Sequence, residues 1–395
     1  MSRRVWVMGL GAVTPLGETW TQSAAALAAG AIATTPVTRF DVRGFPSTVA
    51  ATVESSGSAL APAPAEDRRI PLARAAALEA WAHAGVEVPP DRLGVFVGAE
   101  AGRPDFATIV ALARAADDPR AFGQLAHRIR ASVTSPGAVA SMLAAAIAAH
   151  GPVETVSLAC ASSAAAIADA ARAVRAGECD VALAGGVGVD VDPLMLASFG
   201  ALGALSARGV SCPFDVRRDG FVLGEGAAFV VLASERGRAL AELAGIGRTM
   251  DAYRLTAPDP DGTGAARAMQ LALADAQIDD VDYVQAHGTS TPLNDMAEAA
   301  ALQRVLGARL DRARVASVKG AIGHAIAAAG ALGFLCAVEA VARGVLLPTA
   351  GLHEPDPQCA LPHVVGRAVR AAASTALVNA FAFGGANVSL AVRAA

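Results

Sequence analysis

A chain of 395 residues that is 54% apolar and 17% charged, with net charge −4 and a pI near 6.0, places a large core under little polar surface. That balance suits a sheet buried on both faces, and it excludes the basic, aromatic-interleaved surface of a nucleic-acid-binding protein. Five cysteines, an odd number without C-x-x-C spacing, exclude a disulfide framework and a zinc ribbon and point to a reducing compartment.

At the amino end, Gly9, Gly11 and Pro15 interrupt the apolar run too early for a signal-peptide core, so a soluble cytoplasmic protein is expected. Residues 5–8 read as a strand and 20–29 as a helix. The Pro-, Ser- and Ala-rich stretch 31–68 reads as loop with short edge strands, 70–84 as a helix and 93–97 as a strand. Helical patterns follow near 105–116 and 136–149. Further strands are expected at 181–184 and 227–232, with a dense loop at 211–226 between them. The alternation then begins again: helix 265–276, strand 283–285, helix 293–306, strand 314–318, helix 324–343, and strands near 375–380 and 386–392. Repeated strand–helix alternation predicts an α/β protein with mostly parallel or mixed sheets. Two passes meeting near residue 240 predict related halves, 1–240 and 241–395, packed as one body. The Ala-rich stretches 136–149 and 324–343 are too short, or too punctuated by Gly and charge, for a membrane span.

The chain is organised around 155–177, where an apolar run ends at Cys160 and an alanine-rich helical pattern runs on to Gly177. A strand entering a helix through a tight turn sets Cys160 at the helix N-terminus. Unpaired N–H groups and the helix dipole there favour thiolate over thiol. An inert cysteine in an apolar corner is the competing reading. Two more strand ends carry histidines: His287 in A-H-G-T-S-T, and His324 in K-G-A-I-G-H, which opens the predicted helix 324–343. Loops at the carboxyl ends of parallel strands gather on one face, so the fold can bring all three together. Either histidine alone could equally be a cap or a core residue. One cysteine and two histidines could also hold zinc, but spacings of 127 and 37 residues match no compact metal motif, and no metal is expected. Only one of the 32 basic residues is lysine, Lys319, which suggests a place that needs a compact ammonium. Paired glycines in N-A-F-A-F-G-G-A-N let backbone N–H groups approach a ligand, or simply turn the chain.

These motifs, with R-D-G-F-V-L-G-E-G and G-L-G-A-V-T-P-L-G, resemble those of the β-ketoacyl-acyl carrier protein synthases of the thiolase superfamily, over nearly the whole chain. The Cys-His-His set resembles the elongating branch rather than the Cys-His-Asn initiating branch. The resemblance implies a layered αβαβα fold and a decarboxylative Claisen condensation of malonyl-acyl carrier protein with an acyl chain on Cys160. It implies that His287 and His324 steady the enolate, and that Lys319 and Glu298 support the site around His324. It further implies that Thr289 and Thr291 contact the phosphopantetheine arm, that Phe383 gates, and that Phe199, in a loop, lines the acyl pocket. No cofactor is expected on this chain, since substrates ride on the carrier's phosphopantetheine. The implied partners are an acyl carrier protein and a second subunit, in a homodimer or a ketosynthase heterodimer.

Gly320, Ala327, Ala382 and Cys212 depart from the usual family residues, and 98–135 looks short, so fatty-acid and polyketide or aryl-polyene pathways both stay open. Carrier proteins are acidic, so Arg68, Arg69, Arg128 and Arg130 are candidates for a basic rim. A chain-length-factor-like partner subunit is the alternative, which Cys160 opposes. A Cys-His thioester hydrolase and a thiolase proper fit less well.

Overall fold

Ten strands form one mixed sheet with helices on both sides, beside two small two-stranded sheets, in a computed structural model that describes residues 3–54, 60, 67–103, 106–132 and 135–395. The strands are β1 (Trp6–Val13), β2 (Leu93–Gly98), β3 (Val153–Val156), β4 (Val181–Val189) and β5 (Glu225–Ala233) in the first half of the chain. In the second half they are β6 (Ala241–Met250), β7 (Tyr283–Gln285), β8 (Arg314–Ala316), β9 (Thr375–Phe381) and β10 (Ala386–Ala394). Their order across the sheet is β8-β7-β9-β10-β6-β1-β5-β4-β2-β3. Each arm therefore runs first, fifth, fourth, second, third. The arms meet where Trp6 and Val7 pair with Glu242 and Ala241.

Direction follows the connections. Strands reached through helices pair parallel (β4 with β2 and β2 with β3; β9 with β7 and β7 with β8), whereas β1, β5, β6 and β10 pair antiparallel to their neighbours. The sheet is thus mixed. The sequence reading missed β6 and a helix, Pro119–Ser132. Seven of the ten residues of β6, A-E-L-A-G-I-G-R-T-M, are glycine, alanine or polar, so it lacks a dense apolar run.

Helices α1 (Arg69–Ala84) and α2 (Gly137–Ala146) cover the outer face of the first arm. Helices α4 (Thr263–Ala276) and α5 (Pro292–Leu306) cover the outside of the second. Between the arms lie α3 (Ser162–Ala176) and α6 (Ala329–Arg343), which touch each other and strands of both. The result is the αβαβα layering. A helix wedged between two sheets must be apolar all round and slim. This accounts for the alanine richness of α3 and α6, nearly all of whose residues are buried. The run Ile326–Arg343 is apolar enough to pass for a membrane span, but 83% of it is buried inside the protein, as a core helix requires. A Cβ on Gly98 would lie 2.3 Å from the Ser163 nitrogen, so the bare backbone there lets β2 close on the first turn of α3. That contact fixes where the turn before α3 can sit.

Candidate active site

Strand β3 ends at Val156, and a single 3₁₀ turn, Ala159–Ala161, leads into α3 with Cys160 at its centre. Ala159 is held at φ +44°, a left-handed conformation that costs a non-glycine residue about 1–2 kcal/mol. Ser162 Oγ braces the turn, accepting from the Leu158 N–H at 2.8 Å and lying 2.7 Å from the Ala159 carbonyl to which it donates. Strain held by packing marks functional loops. Ser290 (φ +69°), between Thr289 and Thr291, and Ile326 (φ +41°), two residues after His324, show it as well.

One cavity of about 350 Å³ is lined by Cys160, His287, His324, Thr289, Thr291, Glu298, Phe199 and Phe383, with Phe381, Ala382 and Asn387 among the others. All the site residues expected from the sequence except Lys319 reach it. The His287 and His324 rings meet edge to face, centroids 5.6 Å apart. Phe221 packs on His324 at 5.2 Å and Phe381 on His287 at 5.6 Å. Both His324 ring nitrogens and His287 Nδ1 have no hydrogen-bond partner among the described residues. This leaves ring nitrogens on the cavity wall free to engage a bound molecule. Burial, assisted by Lys319, holds both imidazoles well below the ordinary histidine range, so both are neutral at pH 7 with one N–H each to donate.

His324 does not open the long helix. It lies in the loop between the short helix Lys319–Ile322 and the turn Ile326–Ala328. Its backbone pairs with the 222–224 segment: its N–H donates to Val222 O at 2.8 Å and its carbonyl accepts from Gly224 N at 2.9 Å. Phe199 likewise belongs to a helix, Pro193–Ala201, capped by Asp192, rather than a loop. Its ring packs on Phe221 at 5.3 Å and on Phe383 at 6.3 Å.

Lys319 and Glu298 grip His287 rather than His324. Lys319 Nζ donates to the His287 carbonyl at 2.5 Å. The Glu298 carboxylate accepts from the His287 N–H at 2.8 Å and the Gly288 N–H at 2.7 Å. Asn379, unassigned from the sequence, donates to Glu298 at 3.0 Å and in turn accepts from Ser389 at 2.9 Å. Asn379 and Ser389 face each other across the β9–β10 hairpin, a pairing their separate motifs could not reveal. Thr289 and Thr291 share a 2.8 Å hydroxyl contact, and Asp295 accepts from Thr289 N at 3.0 Å.

At Cys160 burial works against the helix terminus. Burial dominates and pushes the thiol up to about 12, against the opposing pull of Lys319 and of the Phe383 backbone N–H, which donates to the sulfur. The rate of Cys160 alkylation by iodoacetamide is therefore expected to climb about tenfold per pH unit from about pH 6 to pH 9. A plateau near pH 7, measured by mass spectrometry of the Cys160 peptide, would mean that the helix terminus outweighs burial.

Two of the four arginines expected at a basic rim turn inward instead. Arg69 is buried and paired with Asp67 at 2.5 Å, and Arg68 reaches Glu225 at 3.2 Å. The side chains of Arg128 and Arg130 lie outside the described residues. All five cysteines are free and buried, and among the described residues no His/Cys/Asp/Glu cluster has metal-binding geometry.

Two similar sheet arms around paired core helices, with one thiol and two imidazoles on a shared cavity, define a condensing enzyme of thiolase-like fold. The chain belongs to the β-ketoacyl synthase family, acyltransferases that carry out condensation in fatty-acid or type II polyketide synthesis. The family's N-terminal domain profile matches residues 2–237 and its C-terminal domain profile residues 240–353. The chain is 35% identical to 3-oxoacyl-[acyl-carrier-protein] synthase 2 of Coxiella burnetii, covering 98% of each chain. Among solved structures, it superposes on the ishigamide ketosynthase/chain length factor with TM-score 0.87 and 32% identity, each chain fully covered. It superposes equally completely on a type II polyketide ketosynthase solved with its acyl-carrier protein and a hexaketide (TM-score 0.88, 29% identity).

Proposed function

We propose that this chain is an elongating ketosynthase that joins an acyl group held on Cys160 to the two-carbon unit of malonyl-acyl carrier protein, with the division of labour between its halves falling near residue 240. The observation that carries this reading is the single cavity onto which Cys160, His287 and His324 converge. A chain-length-factor-like role would need none of the three.

In the first step the Cys160 sulfur attacks the carrier-bound thioester. A C–S bond forms, the phosphopantetheine sulfur leaves, and it takes the proton that the buried thiol carried. Splitting one hard reaction in two is what a covalent nucleophile offers. Malonyl thioester then enters and loses CO₂ as its C–C bond breaks, leaving an enolate. Two neutral imidazoles donate to the enolate oxygen without placing a full charge in the buried site. Fixed donors of this kind contribute about two to three orders of magnitude each. The enolate carbon attacks the acyl-Cys160 carbonyl, and the tetrahedral oxyanion accepts from the Cys160 and Phe383 N–H groups. Collapse frees the sulfur, which regains a proton. Thr289 and Thr291, at the cavity wall, would hold the arm. A cytoplasmic site and a dimeric assembly accompany this reading.

The test is incubation with acyl- and malonyl-carrier proteins, following the mass of the protein, CO₂ and ketoacyl product. For His324→Ala, decarboxylation is expected to fall by about 10²–10³-fold while acylation of Cys160 persists. Loss of both in a folded variant would refute this division of labour, and a wild-type chain that never condenses would refute the enzyme.

A further inference from the structure

Strand β9 and the turn after it meet the site at three places. Asn379 and Phe381, two residues apart in the strand, point to one face of the sheet. The Phe381 ring packs on the His287 ring at 5.6 Å, and the Phe383 N–H, in the turn before β10, donates to the Cys160 sulfur. Asn379 reaches the His287 backbone through Glu298. Its Nδ2 donates to Glu298 Oε1 at 3.0 Å, the same oxygen that accepts the His287 N–H. Its Oδ1 accepts from Ser389 Oγ at 2.9 Å, and Met269 Sδ lies 3.8 Å from Nδ2. Asn379, Ser389 and Glu298 are all buried. A carboxylate only accepts, so it fixes which way the amide faces.

This third donor has work that the two backbone N–H groups leave undone. The terminal torsion of a glutamate is broad, and a buried carboxyl is driven toward its acid form. Burial raises Glu298 above its ordinary range, against the pull of the Gly288 N–H, Asn379 and the His287 N–H. An amide anchored in a strand opposes both the rotation and the proton. The Phe383 turn is held by bonds of its own, Ala382 N to Ala386 O at 2.9 Å and Gly384 N to Leu255 O at 2.7 Å. The Cys160 turn is built from β3 and α3. Neither depends on Asn379.

We infer that Asn379 is a positioning residue for the enolate step: it orients Glu298, which holds the His287 backbone, and so sets the His287 imidazole against the acyl group on Cys160. The inference rests on the ketosynthase reading above. It makes decarboxylation sensitive to Asn379 and self-acylation indifferent to it, because a misplacement of about 1 Å at a reacting centre costs on the order of a hundredfold.

Two variants test this, Asn379→Ala and Asn379→Asp, incubated with acyl- and malonyl-carrier proteins while acylation of Cys160 and release of CO₂ are timed separately. In Asn379→Ala, kcat for decarboxylation is expected to fall about 10- to 100-fold, the worth of a hydrogen bond to a charged group. The KM for the malonyl thioester and the acylation rate should stay within about threefold of wild type. Asn379→Asp keeps the shape and sets a second carboxyl against Glu298. Two buried carboxyls in contact share one proton, and the acid form restores the donor. Around this pair Met269 and Ser389 are uncharged and His287 is neutral, while Lys319 and Asp295, the charged neighbours of Glu298, are common to wild type and variant. Decarboxylation by Asn379→Asp, as a ratio to wild type at each pH, should lie within about threefold of one at roughly pH 6 and drop about tenfold or more by roughly pH 9. Equal losses of decarboxylation and acylation, wild-type rates in a folded Asn379→Ala, or a pH-independent ratio for Asn379→Asp would each reduce Asn379 to a packing amide and overturn the inference. If the alanine variant does not fold, the aspartate profile decides alone. A wild type that neither decarboxylates nor condenses would instead overturn the ketosynthase reading.

Discussion

Cys160→Ala is expected to remove both self-acylation and condensation, lowering turnover by about four orders of magnitude or more, as loss of a covalent nucleophile does. The reason is the lack of a substitute. Cys179, Cys212, Cys336 and Cys359 are buried and none lines the cavity. The hydroxyls of Thr289 and Thr291 already engage each other, and their ordinary pKa lies far above a thiol's. The fold should tolerate the change, because one sulfur is deleted from a site that already contains open space. Melting within a few degrees of wild type, no acyl adduct by intact-mass spectrometry and no ketoacyl product are the joint outcome. Turnover that survives in the variant would remove Cys160 from the chemistry.

Lys319→Met comes second in size. It strips the His287 carbonyl of its donor and leaves the fully buried Glu298 carboxylate, which holds the His287 N–H, without the nearby cation. A buried carbonyl stripped of its donor costs about 1–3 kcal/mol, set against the burial penalty that the ammonium itself carries. We expect at least a hundredfold loss of condensation. Arginine should not rescue it, because a planar fork cannot replace a compact ammonium at one carbonyl.

The pH dependence separates Lys319 from its neighbours. Burial brings its ammonium down to about 8 from 10.5, so between those values the unfolded chain binds the extra proton. Stability from this group therefore rises with pH across about pH 8 to 10.5, relieving a penalty of roughly 3 kcal/mol that is fully present below pH 8. The buried cysteines shift in the opposite sense, and those not coupled to Lys319 (Cys179, Cys212 and Cys359) drop out when variant is subtracted from wild type. A wild-type-minus-variant unfolding free energy that stays flat between about pH 8 and 10 would show that Lys319 is not desolvated as described.

Strand ends, glycine turns and helix periodicity left the alternation legible, because each is a local property of a few neighbouring residues. Cys160, His287 and His324 could be picked out for the same reason, as each sits just past a strand beside small residues. What misled was anything decided by a distant segment. Glu298 and Lys319 read as partners of His324 until the packing of α5 and of the Lys319 turn placed both on the His287 backbone. Asn379 and Ser389 acquired a role only once a hairpin set them side by side. Arg68 and Arg69 read as surface charge, yet each found a carboxylate inside.

By itself the sequence determined the α/β alternation, the alanine that lets two helices lie between two sheets, and the reactive residue types with their places along the chain. Tertiary structure alone decided the mixed strand directions, the orientation of the two imidazoles and the protonation of the sulfur. A thiol's ionisation is set by how much water reaches it and which charges stand nearby. Those are distances between residues far apart in the chain, and no local pattern encodes them.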